Sequence, residues 1–236
     1  MFNPRPRIET LTIAGRHACH VIDDALLDPG ALVEHAVRHA GDFVEAPHNA
    51  YPGPELRMPE SFSAQLDAFF SLHLRAHFAV RRTERMYSRL SLTTTLPERL
   101  RPAQSLCHVD RLSVSPAHRI VASVLYLFDD PDLGGTAFYA PKHPPEVILP
   151  MIHASGQMDA AAFEAAYGVR TGYMTASNAW FEKRLSVPAR FNRLIVYEGT
   201  VFHSGEILHP ERLSADPRRG RLTLNGFFTC RRRLGA

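Results

Sequence analysis

Lysine is nearly missing from this chain of 236 residues: Lys142 and Lys183 are the only two among 27 basic side chains, and the rest are arginine. Against 24 acidic residues the formal charge is +3, too weak a field to hold a polyanion, and no basic patch is interleaved with aromatics. A nucleic-acid partner is therefore not expected. The one basic run, Arg231-Arg232-Arg233, reads as a solvated tail. Cysteine is scarce as well. Cys19, Cys107 and Cys230 are odd in number, irregularly spaced and without a CxxC pair, which excludes a disulfide framework and a thiolate zinc site. They read as buried thiols in a reducing compartment. No apolar run approaches the ~20 residues needed to cross a bilayer. The opening Met1-Phe2-Asn3-Pro4-Arg5-Pro6-Arg7 carries charge with no apolar stretch behind it. A cytoplasmic protein with no membrane partner is expected. Internal repeats and low-complexity linkers are absent too, so the reading is one domain over 1–236.

What is present is an ordinary globular composition, 45% hydrophobic and 22% charged, in a length that buries a sizeable core unaided. Two short alternating segments, Thr10 to Ala14 and His17 to Asp24, read as strands. Asp28 is a good N-cap with Pro29 behind it, and Leu32, Val33, Ala36, Val37 and Ala40 share one helical face. The prolines of 44–59 predict a loop. A second helix is expected from Glu60 to Phe78. These strands and helices make up 1–80, and the two helices brace a β-rich core over 82–229. Strands are expected at Met86 to Thr95, Arg119 to Phe128, Thr136 to Tyr139, Leu194 to Tyr197, Val201 to His203 and Arg221 to Thr229. An insertion at 141–190 interrupts them with a proline-rich stretch and helices at Asp159 to Tyr167 and around Ala176 to Lys183. The fold class is α+β, with a double-sheet jelly roll as the core.

His108-Val109-Asp110 places an imidazole and a carboxylate two residues apart in such a core. In an extended segment both leave the same face. A third ligand is available in Thr200-Val201-Phe202-His203-Ser204-Gly205. Two imidazoles and one carboxylate on one face of a metal suit non-haem Fe(II) and O2 chemistry. A zinc hydrolase with a metal-bound water, or a jelly-roll sensor without turnover, would use the same three residues. On the last strand Arg221, Thr223 and Asn225 share a face, and a guanidinium fork beside a hydroxyl clamps a carboxylate. An oxygenase that uses 2-oxoglutarate needs such a clamp for the distal carboxylate, whereas a zinc hydrolase has no evident reason to place it there. Arg219 is a second candidate for the anchor, although it precedes Gly220 in a loop. The pair His35/His39 has metal-binding spacing but reads as a helix surface. His48 and the remaining histidines read as ordinary surface or supporting residues. Trp180 and Phe181 either line a pocket or pack the insertion.

In their order, His108-Val109-Asp110, Tyr126-Leu127-Phe128, Gly134-Gly135-Thr136-Ala137-Phe138, His203 and Arg221-Leu222-Thr223 resemble the Fe(II)/2-oxoglutarate-dependent dioxygenases of the prolyl-hydroxylase-like type. The Tyr51-Pro52-Gly53 loop and the two N-terminal helices are similar to a bacterial subgroup, DUF6445. The resemblance implies a double-stranded β-helix, cupin-like, with His108, Asp110 and His203 as iron ligands. It implies Arg221 as the partner of the distal carboxylate of 2-oxoglutarate, Thr223 as its aid, and the Tyr126 hydroxyl directed to the same group. It further implies hydroxylation of a small molecule, an amino acid or a peptide, with release of succinate and CO2. Because Asp110 is present, no ligand position is left for halide. Two departures stand out: a long loop from Glu206 to Arg219, cheap in closure entropy, and the 141–190 insertion, expected to form a lid or substrate wall.

Overall fold

Alternation of apolar and polar residues along β10 (Arg221–Arg232) divides the molecule into two sides. Leu222, Leu224 and Phe228 point into a core shared with Leu66 and Phe70, while Arg221, Thr223, Asn225 and Phe227 face a cavity. The computed structural model describes residues 1–45, 50–111 and 115–233. His48, part of the expected 44–59 loop, and Leu234-Gly235-Ala236 lie outside the described residues.

In chain order the remaining strands are β1 (Ile8–Ile13), β2 (His17–Ile22), β3 (Glu55–Arg57), β4 (Val80–Thr93), β5 (His118–Tyr126), β6 (Thr136–Pro141), β7 (Phe181–Val187), β8 (Leu194–Glu198) and β9 (Phe202–Gly205). The helices are α1 (Gly30–Arg38), α2 (Glu60–His73), α3 (Pro145–Ser155) and α4 (Ala160–Tyr167). A seven-stranded sheet runs β1-β2-β8-β5-β10-β4-β3 and a three-stranded sheet runs β7-β6-β9, antiparallel throughout. Between the sheets lies an apolar cluster with Ala122, Tyr126 and Tyr197 from one and Phe138 and Val187 from the other. On the outer side of the large sheet, α2 packs against β4, and the Ser63 and Ser88 hydroxyls meet at 2.8 Å. Asp28 accepts a hydrogen bond from the N–H of Ala31 and so caps the start of α1 as expected. Among the described residues no helix is long and apolar enough to cross a membrane.

Four expectations are corrected. The 44–59 loop contains β3, a three-residue edge strand on β4. Pro52 and Pro54 lead into it without disruption because they only accept there, from Thr94 and Leu92. The helix expected around Ala176 to Lys183 does not form: Asn178 Oδ1 accepts from the N–H groups of Trp180 and Phe181, and this side-chain turn outcompetes a helix and starts β7. Since β7 completes the small sheet, the true interruption of the core is 142–180, shorter than 141–190, and it holds α3 in the stretch read only as proline-rich. Pro145 suits a first helical turn, and the buried Ile148 and Met151 hold α3 despite Pro150. The basic run is no free tail, since Arg231 and Arg232 pair with β4 and Arg231 also with β5.

Candidate metal centre and its cavity

His108 and His203 are joined by an isolated antiparallel bridge, and each backbone N–H donates to the other's carbonyl at 2.9 Å. Two residues on, the N–H of Asp110 donates to Gly199 O at 2.7 Å. These bonds carry the His108 segment across the end of β9 and turn its side chains inward. The ligand atoms of His108, Asp110 and His203 lie within 4.8 Å of one another. His203 Nε2 stands 3.8 Å from Asp110 Oδ1. His203 Nδ1 is 2.8 Å from Val201 O, and because a carbonyl only accepts, the ring proton sits on Nδ1 and leaves the Nε2 lone pair for a ligand. Gly199 permits the close approach, since a Cβ there would meet Asp110 Oδ2 at 2.6 Å.

Electrostatics favour a cation at this point. Among the described residues Asp110 Oδ2 is buried without a hydrogen-bond partner, an arrangement that costs several kcal/mol unless a positive charge offsets it. Burial pushes the Asp110 carboxyl up to about 6, with His108 and Arg89 pulling the other way. Burial also lowers His108 to about 4, and the neighbouring His203 acts in the same direction. His108 is accessible along its cavity-facing edge, yet it lies deep in the protein, and depth governs its basicity. His203 falls to about 4 through burial, partly countered by the Val201 carbonyl. Near neutrality both imidazoles are therefore unprotonated, as metal ligation requires. Two imidazoles and one unsatisfied carboxylate oxygen are a donor set that fits Fe(II).

The three residues line a cavity of about 240 Å³ together with Arg221, Thr223 and Thr136. Arg221 is 4% exposed; its Nε donates to Leu133 O at 3.0 Å and its Nη2 to Gly135 O at 2.8 Å. Its guanidinium packs at Gly205, two residues and so about 6.6 Å along β9 from His203. Among the described residues no carboxylate pairs with this buried cation. Thr223 lies in the same wall, its hydroxyl 3.5 Å from Ser91 O. Tyr126 is placed differently: its hydroxyl donates to Thr136 Oγ1 at 2.7 Å, and Thr136, not Tyr126, lines the cavity. Arg219 is exposed in its loop and does not line the cavity.

Sequence reasoning missed Arg89, which lines the same wall and pairs with Glu55 at 2.8 Å. It also missed the roof, where the insertion contributes Tyr173 and Met174. Trp180 and Phe181 do not line the cavity: they pack in a cluster that joins α3 and α4 to Ala137 and Tyr139 of β6, with Phe181 already in β7. No local pattern marks Arg89, because its role depends on the pairing of β3, β4 and β10.

A family profile described as a family of unknown function (DUF6445) matches residues 4–228. None of the curated proteins matches the chain. Among solved structures, it is similar to a Pseudomonas putida prolyl-4-hydroxylase at 15% identity, over 92% of this chain and 94% of that one, with a TM-score of 0.47. It is also similar to HygX from Streptomyces hygroscopicus, solved with nickel and 2-oxoglutarate, at 13% identity, 92% and 83% coverage and a TM-score of 0.49. A third is the non-haem alpha-ketoglutarate-dependent epimerase SnoN from nogalamycin biosynthesis, at 12% identity, 94% and 83% coverage and a TM-score of 0.45.

Proposed function

The chain belongs to the DUF6445 family, and for it we propose the activity of a non-haem Fe(II)- and 2-oxoglutarate-dependent oxygenase that hydroxylates an unactivated C–H bond. On this reading the two antiparallel sheets are the walls of a double-stranded β-helix in a single domain. The observation that carries the proposal is that, among the described residues, one cavity holds both a triad with an unpartnered buried carboxylate oxygen and a buried arginine with no acidic partner.

His108, Asp110 and His203 would hold the iron, which supplies the one-electron and O2 chemistry that side chains lack. Val201 O fixes the His203 tautomer, and the backbone pairing of His108 with His203 sets the angle between two ligands before any ion arrives. Arg221, held by two carbonyls, directs its remaining N–H groups at the distal carboxylate of 2-oxoglutarate, with Thr223 beside it. Tyr173 and Met174 line the same cavity from the 142–180 segment. The balance is substrate C–H, 2-oxoglutarate and O2 giving substrate C–OH, succinate and CO2, with one oxygen atom in the alcohol and the other in succinate. The pairless Arg221 favours this reading over a zinc hydrolase on the same triad.

The test is anaerobic addition of Fe(II) and 2-oxoglutarate, followed by oxygen and measurement of succinate. A visible charge-transfer band and slow succinate release are expected, and His108→Ala should lose both. Equal behaviour of wild type and that variant would refute the proposal.

A further inference from the structure

Beyond the triad and Arg221, the cavity wall carries a hydrogen-bond chain whose direction can be deduced. Glu55 accepts from Arg89 Nη1 at 2.8 Å and from the Ser91 hydroxyl at 3.0 Å. A carboxylate only accepts, so the Ser91 proton is committed to Glu55. Ser91 Oγ must then accept from Asn225 Nδ2, 2.8 Å away, and the second Nδ2 proton turns to Thr223 Oγ1 at 3.3 Å. The Asn225 amide is thereby fixed with its oxygen facing away from the chain. Asn225 Oδ1 has no partner among the described residues, and neither does Arg89 Nη2. Both residues line the cavity.

Arg89 and Asn225 sit directly opposite each other in the pairing of β4 with β10, which puts their Cβ atoms about 4.5–5.5 Å apart. At one level of the wall a charged donor thus stands beside a bare acceptor. The Arg89 guanidinium is immobilised on both sides, by Glu55 along its edge and by the Phe227 ring 4.7 Å from its centre. Such a pair matches a molecule with an anionic acceptor and a cationic donor on neighbouring carbons.

Two magnitudes narrow the class. The cavity, about 240 Å³, falls below the roughly 300–1,000 Å³ of sites for drug-sized ligands, and it must also house the diacid co-substrate. The part of a substrate that reaches this wall must therefore be small. In the loaded site a dication, the Asp110 carboxylate, the 2-oxoglutarate dianion, Arg221 and the Arg89–Glu55 pair cancel in charge. A net charge on the substrate would be buried uncompensated, so a zwitterion is favoured over a simple anion or amine.

We propose that this wall receives a free α-amino acid, its carboxylate on Arg89 Nη2 and its ammonium on Asn225 Oδ1. The inference rests on the oxygenase reading for the identity of its co-occupants. It makes Arg89 and Asn225 the residues that select the substrate.

The test is calorimetric titration of the full chain, anaerobic with Fe(II) and 2-oxoglutarate, using the proteinogenic L-amino acids. Each is compared with its α-carboxamide and with the carboxylic acid lacking the amino group. At least one amino acid should bind about tenfold or more tightly than both analogues, the weight of one charge-assisted bond, and on admission of oxygen the same ligand should accelerate succinate release. Arg89→Met should reduce the preference for acid over carboxamide to about one. Asn225→Ala, which removes no charge and stands in should Arg89→Met fail to fold, should erase the preference for the amino acid over its des-amino analogue. Protein that binds 2-oxoglutarate but prefers no amino acid over its analogues overturns this inference and leaves the oxygenase reading standing. Selective amino-acid binding without any 2-oxoglutarate binding keeps the wall's assignment and overturns the oxygenase reading.

Discussion

His108 and His203 exchange both of their backbone hydrogen bonds, at 2.9 Å in each direction, through a bridge that belongs to neither named sheet. The ring centroids stand 4.5 Å apart, so the two imidazoles are brought together by main chain before any metal is bound. Preorganisation of this kind lowers the cost of assembling a centre when the ion arrives.

Gly199→Ala probes that assembly from outside the ligand set. A Cβ at this position would lie 2.6 Å from Asp110 Oδ2 and 2.8 Å from Ile120 Cγ2, so the carboxylate must swing away. Metal affinity should fall about 10–100-fold, as for losses of groups that orient a ligand, with the circular dichroism spectrum unchanged. Titration with Fe(II) under argon measures it, and unaltered affinity would show that Asp110 does not ligate.

Acid should release the metal in a defined window. Asp110 is pushed up to about 6 by burial, and only its ionised form binds a cation. As pH falls through about 6 the proton competes with the ion, and affinity should drop about tenfold per pH unit. The histidines, lowered to about 4, remain neutral over most of that range and add further slope only near its lower end. A flat profile between pH 7 and about 5 would mean that the carboxylate does not participate.

Arg221→Met should weaken 2-oxoglutarate by roughly 100-fold, the worth of two hydrogen bonds to a charged group, while leaving Fe(II) affinity close to wild type. Arg219→Ala, a change in an exposed loop, should shift it by no more than about twofold. The reverse pattern would move the anchor to the loop.

Tyr126→Phe separates support from contact. The hydroxyl is spent on Thr136 Oγ1, so its loss should cost about 1 kcal/mol of stability, read by denaturant titration, with 2-oxoglutarate affinity almost unaltered. A large loss of affinity would return Tyr126 to the binding site.

Much of the centre could be read from local spacing. His108 and Asp110 are two apart in an extended segment, and Arg221, Thr223 and Asn225 alternate along one strand, so parity alone selects their side of the sheet. Tyr126 has the right parity too, being paired with Thr223, but Thr136 from the facing sheet stands in front of its hydroxyl, and no spacing reveals what the opposite wall contributes. The Glu55–Arg89 pair was hidden for a related reason: it requires β3, masked by prolines, and a register between strands distant in sequence. The helix expected around Ala176 to Lys183 failed at Asn178, whose side chain imitates the backbone acceptor that a helix would have supplied.

Met174 ties the 142–180 segment to the candidate metal centre. Its sulfur accepts from the N–H of Cys107 and its carbonyl from the hydroxyls of Tyr139 and Ser204, so one residue of the 142–180 segment is latched to the sequence neighbours of both His108 and His203. The rest of the segment is held as well, by the burial of Ile148, Met151 and Phe163 against Ala137 and Tyr139. A displacement of Met174 would therefore be felt at both imidazoles at once, through the main chain on either side of them.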